Sequence, residues 1–220
     1  MSSLEARASV LRALGEPARL RLVDLLTESD RTPSELLDLT EMNWNLLEFH
    51  LRNLENARIV ERRRSEGDRR RRYVHLVAGI VDHLPPLPKG KEVRLPLFVC
   101  TQNSARSQFA AALWHKATGR QALSAGSHPA DSVQPLAVTV AAFYGLDLSR
   151  ARPRGYDEIN ADPDVVVSVC DRALERGLPL GVPSRHWSVP DPAAGNRKTF
   201  RVAFADIAER IDRLAKASAQ

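Results

Sequence analysis

The sequence has little cysteine and no long apolar run, and each shortage excludes a class of protein. Two cysteines among 220 residues exclude a disulfide-stabilised scaffold. No apolar run approaches the ~18 residues that a membrane-spanning helix needs. The Met-Ser-Ser start lacks the charged and apolar regions of a signal peptide. We therefore expect a cytoplasmic protein with reduced thiols and no membrane contact.

Positive charge is concentrated in one short stretch, although the net charge of the whole chain is only +5. Residues 1–57 carry 6 arginines against 10 acidic residues, whereas residues 58–72 carry 8 arginines against three acidic residues. Such a basic focus attracts polyanions.

The hydrophobic pattern predicts two domains. Residues 1–80 show four short helical segments, followed by two strands joined by the turn Ser-Glu-Gly-Asp, which predicts a mainly helical domain ending in a hairpin. Residues 81–91, VDHLPPLPKGK, resist regular structure and are predicted to be a linker. Residues 92–220 alternate strands and helices, which predicts an open parallel α/β sheet.

One of the two cysteines, Cys100, follows an apolar strand and precedes a helix, within FVCTQNSARSQ. Ligands of open α/β sheets bind beyond the carboxyl ends of the strands. A helix N-terminus and the guanidinium of Arg106 would favour a thiolate there and bind a tetrahedral oxyanion. The alternative is a buried cysteine that only ends a strand, with Arg106 in solvent.

CTQNSARS resembles the phosphate-binding loop of the low-molecular-weight protein tyrosine phosphatase superfamily, which includes arsenate reductases. SAGS at 124–127, QPLAVTVAAFYGLDLS at 134–149 and WSVPDPA at 187–193 resemble further family segments in the same order. The resemblance implies that Cys100 is the nucleophile, Arg106 the oxyanion clamp and Asp191 the general acid. It also implies an oxyanion-binding loop, made of Thr101, Gln102, Asn103, Ser104, Ala105, Arg106 and Ser107.

Two departures from the family pattern bear on the reaction. The loop GSHPADSVQ, where phosphatases of the family commonly place an aromatic residue, has none, which favours a small inorganic oxyanion such as arsenate. Cys170 lies where thioredoxin-coupled reductases carry a second catalytic cysteine, but Gly177 stands in place of the third. The adduct is then resolved by mycothiol or glutathione, or by Cys170 alone, or reduction is lost. The expected external reductant is one of these small thiols or a protein of the thioredoxin type. Cys170 as simple core filling stays an equal alternative.

Residues 1–80 resemble a winged helix-turn-helix domain of the ArsR type, with Asn43 to Ala57 as recognition helix and 59–76 as wing. The family's cysteine-pair metalloid site is absent, since residues 1–99 contain no cysteine, and the histidines are too scattered to predict a metal site. The resemblance implies a homodimer on double-stranded DNA. An arginine-rich protein-interaction module is the alternative. The predicted DNA-contacting residues are Asn43, Asn45, Glu48, Arg52, Arg62, Arg64, Arg69, Arg70, Arg71 and Arg72.

Three hypotheses follow. The first is an arsenate reductase-like enzyme, without a bound cofactor, fused to an ArsR-type regulator. The second is a DNA-binding regulator that senses arsenate or phosphate without turnover. The third is a phosphatase acting on phosphoesters.

Overall fold

The computed structural model describes residues 3–79, 92–179 and 181–219, which form two compact units. The first contains helices α1–α4 and strands β1 and β2, and the second contains strands β3–β6 and helices α5–α8. The predicted linker, 81–91, lies outside the described residues. No helix among the described ranges is long and apolar enough to cross a membrane.

The first unit begins with four helices: α1 (Ser3–Leu14), α2 (Pro17–Glu28), α3 (Pro33–Asp38) and α4 (Trp44–Asn56). Side chains at their N-termini satisfy backbone donors that the helices leave unpaired. Thr32 and Glu35 form a capping box at α3, and the Asn43 side chain accepts from the N–H of Leu46 at 3.0 Å. The predicted recognition helix therefore starts one residue after Asn43, which is its cap.

An antiparallel hairpin completes the first unit. Strands β1 (Val60–Arg64) and β2 (Arg72–Leu76) pair in the register Val60 with Leu76 and Arg64 with Arg72. Val74 faces a core that it shares with Leu47, Leu51 and Leu54 of α4. This hairpin confirms the predicted change from a helical to a strand period.

The second unit is a four-stranded parallel sheet in the order β4-β3-β5-β6. Its strands are β3 (Pro96–Cys100), β4 (Leu123–Gly126), β5 (Val165–Ser168) and β6 (Ser184–His186). All residues of β3 and β5 are buried, as a central parallel strand requires.

Helices cover this sheet. They are α5 (Arg106–Thr118), α6 (Pro135–Phe143), the short α7 (Asp171–Glu175) and α8 (Arg197–Ala219). Phe98 and Val167 belong to the main core with α5, α6 and α8, whereas Leu97 and Val166 belong to a smaller apolar cluster. Successive side chains of each strand point to opposite faces of the sheet and therefore belong to different apolar clusters. The α/β alternation is confirmed, and α7 is an element that hydrophobic periodicity did not predict.

Candidate functional site

The loop after β3 is built around the sulfur of Cys100. This sulfur accepts from the backbone N–H of Asn103 at 3.2 Å and lies 3.1 Å from the hydroxyl of Ser107. Cys100 is only 3% exposed, at the carboxyl end of a central strand. The short loop from Thr101 to Ala105 thus curls back over the sulfur before α5 begins at Arg106.

A neighbouring segment holds the loop by its carbonyl groups. The N–H groups of residues 127, 128, 130 and 134 donate to the carbonyls of residues 100, 101, 102 and 104, at distances between 2.8 and 3.2 Å. The carbonyl and N–H of a trans peptide point in opposite directions. Anchoring these carbonyls therefore turns the following N–H groups the other way, as the Asn103 N–H to Cys100 contact illustrates. The result is a set of donors suited to an oxyanion.

Asn103 fixes the turn of this loop. It is fully buried and has φ +49°, a left-handed conformation that asparagine tolerates better than most residues. Its amide donates to the Ser107 hydroxyl at 2.8 Å, while its Oδ1 accepts from Arg154 N at 2.9 Å and Gln108 Nε2 at 3.0 Å. This network locks the loop before any ligand binds.

Gly126 is needed where β4 passes the loop. A Cβ at this position would lie 2.7 Å from the Thr101 carbonyl oxygen and 2.8 Å from the Asn103 nitrogen. Glycine is thus required at position 126 because the loop backbone passes too close for a Cβ, and not because of the backbone angles of Gly126 itself.

Arg106 is buried and lies near the site's negative groups. One Nη donates to the carbonyl of Val189 at 2.8 Å, and the other lies 3.3 Å from Oδ2 of Asp191. Burial opposes its charge, but the sulfurs of Cys170 and Cys100 and the carboxylate of Asp191 outweigh burial and raise its pKa. The guanidinium therefore stays charged, and its contacts with Val189 and Asp191 fix its position.

Asp191 comes from a late segment of the chain, between β6 and α8. Its Oδ1 accepts from Ala193 N at 3.1 Å, which caps the short turn Pro192–Ala194. The structure thus brings the predicted nucleophile, clamp and acid together, although about ninety positions separate Cys100 from Asp191 in the sequence.

The second cysteine lies at the same end of the sheet. Cys170 follows β5, is fully buried, and its sulfur lies 3.3 Å from Oγ1 of Thr101 in the loop. Cys170 is also the cap residue of α7. Both cysteines are free thiols.

Two features of the site were not predicted from the sequence. The hydroxyl of Tyr156 is buried and has no hydrogen-bond partner in the described part of the chain, and burial together with the sulfurs of Cys100 and Cys170 raises its pKa. Next to Cys170, Asp171 accepts from His186 Nε2 at 3.1 Å, and Ser168 Oγ lies 2.8 Å from His186 Nδ1. No sequence spacing links these residues, which different strands and turns contribute.

In the first unit, three predicted DNA-contacting residues are engaged within the unit. The Glu48 carboxylate binds the guanidinium of Arg62 at 3.0 and 3.1 Å, and Arg62 also lies 2.8 Å from Glu55. Asn43 caps α4. The other predicted contacts are exposed, and they are Asn45, Arg52, Arg64, Arg69, Arg70, Arg71 and Arg72.

No group of three or more potential metal-ligating side chains occurs within residues 3–79, 92–179 and 181–219. In the second unit, a loop with a buried thiol follows the first strand of a parallel α/β sheet. The first unit is mainly helical and ends in a basic hairpin. Those features agree with the matches to known families.

The family model for low molecular weight phosphotyrosine protein phosphatase matches residues 96–220, and that for bacterial regulatory proteins of the arsR family matches residues 16–62. The chain belongs to the low molecular weight phosphotyrosine protein phosphatase family and carries an arsR-type helix-turn-helix segment before it.

Individual relatives match the second half of the chain. A putative arsenate reductase of Halobacterium salinarum is 32% identical over 125 residues, which are 52% of this chain and 85% of that protein. A glutaredoxin arsenate reductase of Synechocystis is 27% identical over 128 residues, 54% of this chain and 93% of that protein. A solved structure of an arsenate reductase in its oxidised state is 26% identical and has a TM-score of 0.50, covering 56% of this chain and 97% of that one.

Proposed function

We propose that the second unit reduces arsenate with a thiol nucleophile and that the first unit binds duplex DNA as an ArsR-type regulator, so that one chain serves the arsenic response. The observation that carries the enzymatic part is the Cys100 sulfur, held by an amide N–H and a hydroxyl beside the buried guanidinium of Arg106. Relatives named as arsenate reductases support the choice of oxyanion.

In the first step, the Cys100 thiolate attacks the arsenic atom of arsenate. A sulfur–arsenic bond forms, and one arsenate oxygen leaves as water after it is protonated. Asp191, which lies 3.3 Å from Arg106, is the proton donor in this proposal. The loop N–H groups and Arg106 stabilise the negative charge on the remaining oxygens.

In the second step, another thiolate attacks the Cys100 sulfur of the adduct. A disulfide forms, the sulfur–arsenic bond breaks, and its electron pair stays on arsenic, which leaves as arsenite. Cys170 is a candidate for this thiol because its sulfur contacts Thr101 of the same loop. Like the sulfur of Cys100, it also raises the pKa of Arg106. An external thiol, either a low-molecular-weight thiol or a protein of the thioredoxin or glutaredoxin type, then reduces the disulfide.

The first experiment measures arsenite formation by the full chain with glutathione, mycothiol or a thioredoxin system. Cys100→Ser should lower turnover by at least about a thousandfold, because the covalent step is lost. Cys170→Ser should lower turnover with the thioredoxin system and spare turnover with mycothiol or glutathione if either of these resolves the adduct directly.

The outcomes separate the candidate functions. Full turnover by Cys100→Ser would overturn the proposed nucleophile. Hydrolysis of p-nitrophenyl phosphate without arsenate reduction would favour a phosphatase, a function compatible with the family to which the chain belongs. Tight arsenate or phosphate binding without either reaction would favour an oxyanion sensor.

For the first unit, the match to the arsR family and the exposed arginines of the hairpin support DNA binding. We propose a homodimer that binds two half-sites about one helical turn apart and acts in the cytoplasm. The phosphate contacts would come from the wing and would carry affinity and salt dependence rather than sequence preference.

A further inference from the structure

Helix α4 exposes aromatic side chains where a recognition helix meets DNA. Trp44 is 49% exposed and Phe49 is 58% exposed, whereas Leu47 and Leu51 on the other side of the helix are fully buried. The two aromatic residues, together with Asn45, Glu48 and Arg52, line a surface groove of about 240 Å³. Apolar side chains that are exposed together and bordered by polar residues are typical of an interaction surface.

Most polar groups of this surface are already used. Glu48 accepts two hydrogen bonds from Arg62, which pairs its carboxylate with a cation of the same unit. Asn43 is the helix cap. Among the groove residues, Asn45 and Arg52 are the exposed polar side chains, and they lie beside the rings of Trp44 and Phe49.

The chemistry of this groove favours one kind of base pair. In the major groove, the C5-methyl of thymine is the apolar group that base edges present, and it contacts side chains such as phenylalanine. An asparagine amide pairs with the N6 and N7 groups of adenine. The basic hairpin after α4, with exposed Arg64 and Arg72, supplies the charge complementarity to duplex DNA. The groove therefore offers both kinds of contact that suit an A·T pair: an apolar surface for the thymine methyl group and an amide for adenine.

We propose that α4 reads A·T base pairs by contacts of Phe49 and Trp44 with thymine methyl groups, with Asn45 reading adenine. This inference rests on the proposed DNA binding of the first unit. It assigns sequence preference to apolar contacts, and it assigns affinity to the hairpin arginines.

The test uses the full chain and double-stranded DNA selected from a random duplex pool. The selected sequence is then synthesised with thymidine or with deoxyuridine, which differs only by the missing methyl group. We expect bound sequences to contain A·T pairs at fixed positions. Affinity should fall about fourfold for each contacted methyl that is removed, because burial of one such group stabilises a complex by that factor.

Variants connect the methyl effect to the side chains. Phe49→Ala should remove the part of the thymidine–deoxyuridine difference that Phe49 contributes, and the double variant Trp44→Ala/Phe49→Ala should bind both duplexes equally, as expected for groups in contact. Leu46→Ala is the matched control, because Leu46 is 43% exposed on the same helix but does not line the groove. It should preserve the difference between thymidine and deoxyuridine.

Each other result overturns the inference in a distinguishable way. Equal binding of thymidine and deoxyuridine duplexes by the unsubstituted chain would overturn methyl reading and leave the proposed DNA binding intact. Absence of any duplex binding would overturn both. In that case a lower oligomeric state of Phe49→Ala in analytical ultracentrifugation would identify the aromatic surface as a contact between copies of the chain.

Discussion

The oxyanion loop of the second unit and helix α4 of the first unit use the same residue types in opposite ways. Asn103 is fully buried and braces the loop through three hydrogen-bonding partners, while its own N–H donates to the Cys100 sulfur. Asn43 is exposed and caps its own helix. One asparagine therefore prepares a ligand site, and the other completes a secondary-structure element.

The arginines show the same contrast. Arg106 contacts the carbonyl of Val189 and the carboxylate of Asp191, another predicted site residue, and the sulfurs of Cys100 and Cys170 raise its pKa. Arg62 is held by Glu48 and Glu55, which neutralises its charge within the unit. The comparison teaches that a polar residue contributes to a site only when its partners direct it there. Where its partners neutralise it, recognition depends on the side chains that remain exposed.

Substitution of Arg106 in the oxyanion loop is expected to have the largest effect. Arg106→Lys keeps the positive charge but loses the planar pair of donors that binds two oxygens. We expect turnover of arsenate to fall by about a hundredfold or more, as for loss of one oxyanion donor. The measurement is single-turnover arsenite formation, with thermal unfolding as the control for intact structure. Unchanged turnover would show that charge alone suffices.

In the first unit, the exposed arginines of the hairpin test whether side chains that remain exposed carry DNA binding. Arg69→Ala together with Arg72→Ala should lower the salt dependence of duplex binding by about two units in the log–log slope, because two phosphate contacts are lost. Titrations at several salt concentrations measure this slope. Arg150→Ala is a control for an exposed arginine outside the hairpin. The wing would not contact phosphates if the slope were the same in the double variant and the control.

Asp171 is a buried carboxylate next to Cys170, and it tests how much the partners of a buried polar residue contribute to stability. Burial alone would raise its pKa, but its partners, His186 first among them, outweigh burial and lower it. A depressed native pKa gives stability that is present above the unfolded pKa of about 3.9 and is lost as pH falls through the lower native value.

We therefore expect Asp171→Asn to lower the free energy of unfolding by about 2 kcal/mol at pH 7, since charged hydrogen bonds are lost. The difference from the unsubstituted chain should shrink as pH falls below about 4. Urea unfolding at several pH values measures it. Asp212→Asn, at an exposed surface ion pair, is the control and should change little. A gap that grows at low pH would contradict the assigned direction.

The smallest expected effect concerns the buried hydroxyl of Tyr156, which has no hydrogen-bond partner among the described residues. Because a buried polar group without a partner destabilises a fold, Tyr156→Phe should raise the free energy of unfolding by about 1 kcal/mol. Chemical denaturation measures this change, with Tyr144→Phe as a control at a partly exposed ring. A destabilised Tyr156→Phe variant would instead indicate a hydrogen bond to a bound water or ligand.

Much of the local structure could be predicted from the sequence. The predicted recognition helix from Asn43 to Ala57 is α4 with its two cap residues, and the predicted wing contains β1 and β2. These elements were predictable because their signals are local: an asparagine before an apolar period of 3.6, and alternating residues on both sides of a glycine turn. Short α7 was missed, since five residues do not show a period.

The contacts at the sites were harder to predict. Fourteen positions separate Glu48 from Arg62, and 69 separate Thr101 from Cys170. Side-chain pairing over such separations depends on which strand ends and helix faces meet. The roles of Cys100, Arg106, Asp191 and Cys170 stay predictions for the experiments above to test.

The sequence by itself determined that the second unit is built on a parallel α/β sheet with a cysteine-containing loop after its first strand, because buried strands, turns and loop composition are local properties. Only the tertiary structure decided how these groups are placed: Asp191 against Arg106, Cys170 against Thr101, and a buried Tyr156 hydroxyl that has no partner among the described residues. The physical reason is that parallel strands bring their carboxyl ends to one edge of the sheet, whatever distance along the chain separates them.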